Sequence, residues 1–130
     1  MANFESPLTG YWSDKCDVFS FGIVLLSLIA KRVYTEEDRL SSAPFMEEWA
    51  QSEYEAKVSK SGSHRPKCSL VHESLEVQQG FCSIDAHAIT KLALQCVKFY
   101  PYERPTMKQV VKSLLNLHVV QCNPNILSLS

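Results

Sequence analysis

A chain of 130 residues, 45% hydrophobic and with a formal net charge of −1, holds enough apolar material for one compact domain and is too short for two ordinary ones. Neither sign of charge is in excess and the one basic stretch, Lys57 to Lys67, is short, so it reads as a solvated loop and nothing marks a nucleic-acid partner. Five cysteines (Cys16, Cys68, Cys82, Cys96, Cys122) are odd in number and form no C-x-x-C pair, and the start MANFESPLTGYW lacks the apolar core of a signal peptide. These features fit a reducing, intracellular and cytoplasmic setting and leave peripheral membrane association open.

In chain order, the first element is SDKCDVFSFGIVLLSLIA. Ser13 suits an N-cap, and Asp14 and Asp17 would then fall in the first turn, where carboxylates complement the positive end of the helix dipole. The helix should run to about Lys31. Its apolar part, Val18 to Ala30, is 13 residues long and is interrupted by Ser20, Gly22 and Ser27, too short to span a bilayer. Being apolar nearly all round, it should be enclosed by protein. In APFMEEWAQSEYEAKV, Met46, Trp49, Ala50 and Tyr54 stand near helical spacing, with acids early and Lys57 late, which predicts a second, more exposed helix. From Gly62 to Ser83 the chain reads as loop, with SLVHESL as a short ordered turn. A third helix is predicted over DAHAITKLALQCVKF, where Ala86, Ile89, Leu92, Ala93, Cys96 and Val97 share a face. The fourth, PTMKQVVKSLLNL, opens with a T-x-x-Q capping box (Thr106, Gln109) and carries the stripe Met107, Val110, Val111, Leu114, Leu117. No segment alternates strongly, so the fold class is all-α.

Two blocks carry a family resemblance. SDKCDVFSFGIVLLSLIA resembles the central helix of the protein-kinase C-terminal lobe in plant receptor-like kinases, D-V-x-S-F-G-x-x-L-x-x-L. CVKFYPYERPTMKQVVKSLL resembles that family's last block, C-x-x-x-x-P-x-x-R-P-T-M-x-x-V-V-x-x-L. Between them, MEEWA is similar to the helix that follows in these kinases and LVHESL to an IVDPSL-like turn. The resemblance covers roughly Asn3 to Val120 and implies an incomplete kinase C-lobe, with residues 121–130 as a C-terminal tail.

The resemblance also implies roles. Asn3, Phe4 and Glu5 fall on the family's A-P-E, of which the glutamate alone survives, twelve residues before Asp17. In kinases that glutamate pairs with the arginine of the R-P-T block, here Arg104. Buried together, such groups favour a charge-assisted pair; the alternative is a frayed Glu5 and a surface Arg104. Asp17 falls on the aspartate that accepts backbone hydrogen bonds from the catalytic loop, against the plainer reading that it complements the helix dipole. The loop itself, H-R-D-x-x-x-x-N, does not occur among the 130 residues, nor do a Gly-rich loop, a V-A-I-K lysine or D-F-G. None of the four glycines forms G-x-G, so no phosphoryl-transfer parts, nucleotide or cofactor are expected.

Other chemistry is thin. His64, His72, His87 and His118 lie in dissimilar contexts with no zinc spacing, and His87 flanks a helical stripe as a boundary residue. Cys16 and Cys96 read as small core hydrophobes, and Glu47 and Glu48 as a solvated helix start. Ser13, Thr35, Ser41, Ser42 and the serines from Ser59 to Ser63 are open to phosphorylation, as exposed serines commonly are.

Two functions follow: a non-catalytic, kinase-derived interaction module, or a piece of a conventional serine/threonine kinase active in a longer protein. For the first, the partner is a protein of kinase or immune-receptor type, and the docking face is the apolar flank Phe19, Phe21, Ile23, Val24, Leu26, Leu28 that a missing catalytic loop would cover. Were about five of these side chains open, at ~1.5 to 3 kcal/mol each the deficit would approach ~10 kcal/mol, a whole domain's stability.

Overall fold

The computed structural model describes residues 7–32, 45–61 and 68–122, with side chains throughout except at 7–13 and 61. Within them lie six α-helices and one 3₁₀ turn: α1 Pro7–Ala30, α2 Met46–Ser61, α3 Glu73–Glu76, α4 Ser83–Cys96, the 3₁₀ turn Pro101–Glu103, α5 Met107–Leu115 and α6 His118–Gln121. The described residues are all helix and connection, with no strand, as the absence of alternation predicted.

Helix α1 starts at Pro7, six residues ahead of Ser13, so Ser13 is not its N-cap and its first turn holds no acid. Proline suits that position, since its missing N–H would have no intrahelical partner there. Nor is α1 enclosed on all sides. Its buried line is Lys15, Val18, Gly22, Leu26, Ile29 and Ala30, a stripe at helical spacing. The helix ends on Lys31 in the left-handed conformation (φ 52°), and the Arg32 N–H bonds back to the Ser27 carbonyl at 3.1 Å, the six-to-one bond of a Schellman stop. A residue with a Cβ tolerates that conformation at some cost; here the Lys31 ammonium also reaches Ser74 Oγ at 3.1 Å.

Helix α4 is the main partner of α1. Gly22 is the point of closest approach: a Cβ there would stand 2.7 Å from both Cys96 Cβ and Val97 Cγ1 and 3.3 Å from the Ala93 carbonyl. Around it Leu26, Ile29, Met46, Ala50, Leu70, Ala93, Leu94 and Val97 form the larger core, joining α1, α2 and α4. A smaller core of Val18, Cys96 and Val110 brings in α5, with Phe21, Leu92 and Leu114 packed against it.

The extended chain at 68–72 is fixed to both helices, by Leu70 N–H to the fully buried Thr90 hydroxyl (3.0 Å) and by His72 N–H to the Ile29 carbonyl (2.7 Å). His72 then caps the short α3, its Nδ1 accepting from Ser74 N–H at 3.1 Å. The expected capping box of α5 is present, with Gln109 N–H to Thr106 Oγ1 at 3.1 Å and Thr106 N–H to Gln109 Oε1 at 2.8 Å. Its stripe is less buried than its pattern suggested: Val110 is 1% exposed, but Met107 and Val111 are largely open, because only one flank of α5 faces α1 and α4.

Candidate functional site

Asp17, Val24, Leu28 and Lys31 follow one another at steps of seven, four and three residues, so they fall on one line of α1, opposite the line packed on α4. All four are exposed, Val24 at 55% and Leu28 at 65%. Asp17 lies ten residues inside the helix start, beyond the first turn to which the dipole effect is confined, so the dipole does not explain it. Its carboxylate has no hydrogen-bond partner among the described residues and borders a shallow recess formed with Asp14, Thr106, Met107 and Lys108. Chemically this is, among the described residues, an acceptor at the end of an open apolar line.

The six-residue apolar flank divides. Leu26 is wholly buried in the larger core and so cannot contribute to an open face. Phe19 and Ile23 pack on that same core, and Phe21 packs on the smaller one. Val24 and Leu28 alone are exposed, since α2 and α4 cover the other sides of the helix. At ~1.5 to 3 kcal/mol per side chain the uncovered apolar contribution is then at most roughly 3 to 6 kcal/mol, about two fifths of the deficit that five open residues would give.

Arg104 sits at a junction rather than on an open surface. Its Nε donates to the Lys98 carbonyl (2.7 Å), one terminal nitrogen to the Lys15 carbonyl (3.0 Å) and the other to the Phe99 carbonyl (3.1 Å). The guanidinium carbon lies 4.7 Å from the centroid of the Phe19 ring. Lys15 returns the contact, its ammonium donating to the Arg104 carbonyl at 2.6 Å. One arginine thus ties α1 to the turn after α4, a job that suits the five fixed donors of a guanidinium. Glu5, its expected partner, lies outside the described residues.

Of the cysteines, Cys16 is exposed on α1, contrary to its reading as a core residue, because position 16 falls on the solvent side of the stripe through Val18 and Gly22. Cys96 is buried between α1 and α4, and desolvation pushes its thiol up to about 11. His87 is a boundary residue, its ring nitrogen Nδ1 3.0 Å from the Cys68 carbonyl. The fold nevertheless brings one histidine to a cysteine and a carboxylate: Cys82, Asp85 and His118 place ligand-type atoms within 4.8 Å of one another. Thirty-three residues separate Asp85 from His118, and no spacing rule in the sequence links them.

No family model matches the chain. Individual relatives do. A receptor-like cytoplasmic serine/threonine-protein kinase of Nicotiana benthamiana, described as EPD1-interacting, is 33% identical over 115 residues, covering 85% of this chain and 22% of the relative. The serine/threonine-protein kinase BIK1 of Arabidopsis thaliana is 28% identical over 113 residues, covering 87% and 26%. The chain is thus similar, over most of its own length, to one part of plant receptor-like serine/threonine-protein kinases, and its all-helical described residues are consistent with a segment of a kinase C-terminal lobe. The similarity extends to receptor kinases, as with the LRR receptor-like kinase RGI5 of Arabidopsis thaliana, 30% identical over 124 residues, covering 93% of this chain and 10% of that kinase. The chain therefore spans about a quarter or less of the length of these kinases. Among the described residues, no helix is long and apolar enough to cross a membrane.

Proposed function

We propose that this kinase-related segment is a non-catalytic interaction module that docks a partner polypeptide on the open line of α1, as an adaptor in receptor-like kinase or immune signalling in the cytoplasm. The observation that carries the reading is the line itself: Val24 and Leu28 stand exposed, in register with Asp17, which has no partner among the described residues. A docking segment would lay apolar side chains on Val24 and Leu28 and offer backbone N–H groups to the Asp17 carboxylate, the role that the aspartate has in the kinases this sequence resembles. The 130 residues contain no H-R-D, D-F-G or G-x-G sequence, which favours binding over phosphoryl transfer. The alternative is that the same face packs inside a longer, conventional serine/threonine kinase.

The test uses the purified chain. Self-association and hydrophobic-dye binding are expected, and both should be abolished by the double substitution Val24→Glu, Leu28→Glu, with the helical far-UV signal retained. ATP with Mg²⁺ should leave the thermal midpoint unchanged. A dye-silent monomer melting cooperatively near ~60 °C would remove the docking face, and nucleotide-dependent stabilisation would remove the non-catalytic assignment.

A further inference from the structure

We infer that Cys82, Asp85 and His118 form a binding site for a single divalent transition-metal ion of the zinc type, fastening the start of α4 to α6. The three residues converge from two parts of the chain. Cys82 is the residue immediately before α4; its thiol makes no cap bond and instead faces His118 Nδ1. Asp85 lies in the first turn of α4, and His118 is the first residue of α6.

Cys82 Sγ and His118 Nδ1 are 4.0 Å apart. Zinc–sulfur and zinc–nitrogen bonds of about 2.3 and ~2.0 Å together exceed that gap, so an ion fits between the two atoms with a bent geometry. No pair in the cluster is more than 4.8 Å apart, and a tetrahedral ion with these bond lengths would draw the ligand atoms to roughly 3.5 Å of one another, a closure of up to about 1 Å. A thiol, an imidazole and a carboxylate form a mixed donor set that suits zinc and disfavours magnesium or calcium, which take oxygen ligands. Water would complete the tetrahedron. The thiol proton passes to solvent as the thiolate binds.

A second observation bears on Asp85. It is 6% exposed, and its two oxygens accept the His118 and Val119 backbone N–H groups at 2.8 and 2.9 Å. Those two bonds occupy about half of a carboxylate's lone pairs and orient the group, as supporting hydrogen bonds do for metal-bound carboxylates. Yet Asp85 has no lysine or arginine partner among the described residues. The two N–H donors at the start of α6 already stabilise the carboxylate, and a divalent ion beside it would add a full positive charge to them. The ion is what the geometry of a short α6 pinned over the start of α4 would accept.

The test titrates the full 130-residue chain with Co²⁺, and with Zn²⁺ against a chromophoric chelator. One equivalent should bind, with a sulfur-to-cobalt charge-transfer band in the near ultraviolet and a zinc-dependent rise in thermal midpoint. Cys82→Ser and His118→Ala should each remove the band and weaken zinc binding by more than the ~10–100-fold that outer-sphere changes cost. The double substitution Cys16→Ser, Cys122→Ser removes the two exposed thiols and should retain both band and stoichiometry. His118 is exposed, so its variant keeps the proposal testable even if the Cys82 variant folds poorly. Absence of the band in the parent chain, its survival in His118→Ala, or its loss in the Cys16/Cys122 variant would overturn the site. None of these readings depends on whether α1 docks a partner.

Discussion

Replacing Gly22 with valine is expected to destabilise the fold by at least ~3 kcal/mol, the upper end of what overpacking a well-filled core costs. A Cβ at this position already meets Cys96 and Val97 at 2.7 Å, closer than carbon atoms approach, and the branches of valine have no free direction between two packed helices. Gly22→Ala is the informative companion. Alanine gains ~1 kcal/mol of helix propensity over glycine, against ~1 to 3 kcal/mol for the collision, so a net loss is expected but a smaller one. Chemical denaturation of the three proteins checks the order, glycine above alanine above valine. An alanine variant more stable than the parent would mean that α1 and α4 can separate slightly without loss, and that the contact is looser than it looks.

Arg104→Ala is expected to cost roughly 3 kcal/mol as well, for a different reason. Three carbonyl groups lose a charged donor at once, and Phe19 loses the flat cation against its ring. Hydrogen bonds to charged groups contribute about 1.5 to 3 kcal/mol each, but Arg104 is only half-buried and water can replace some of them, which holds the total near the value of one or two. Lysine should rescue little, because a single ammonium cannot face three carbonyls in a fixed fork. A double-mutant cycle with Glu5→Gln isolates any contribution from the expected glutamate partner. Coupling near zero would show that the carbonyls alone account for this arginine, and urea melts of the four proteins give the number.

These two sites show what the sequence disclosed. The helices α1, α2, α4 and α5 were legible because each keeps apolar residues at helical spacing, and the Thr106–Gln109 box could be located to the residue because capping is local chemistry. The start of α1 was misplaced by six residues: Ser13 and two nearby aspartates imitate an N-terminus, while Pro7, which is compatible with a first helical position, carries no periodic signal. The open flank of α1 is narrower than expected, two residues of the six, because apolar residues on a helix do not reveal which side the rest of the chain covers. Val24 and Leu28 look like Leu26 in the sequence and differ from it only through packing. Arg104 was singled out by family resemblance, but its carbonyl partners were not foreseeable, since any residue offers a carbonyl. Cys82, Asp85 and His118 were invisible for the plainest reason: their proximity is a product of how α6 turns back over α4.

The seam between α1 and α4 has a further use as an internal clock. Cys96 is sealed against Gly22 with no exposed surface, and burial pushes its thiol up to about 11, which further disfavours the reactive thiolate at pH 7. Cys16 and Cys122, both exposed, are open to an alkylating reagent at any moment. Cys96 becomes accessible only when the two helices part, so the rate at which it is modified, compared with the rates at the exposed pair, reports how often this seam opens. Anything that clamps the seam shut, a bound partner included, would slow that one reaction and leave the other two alone.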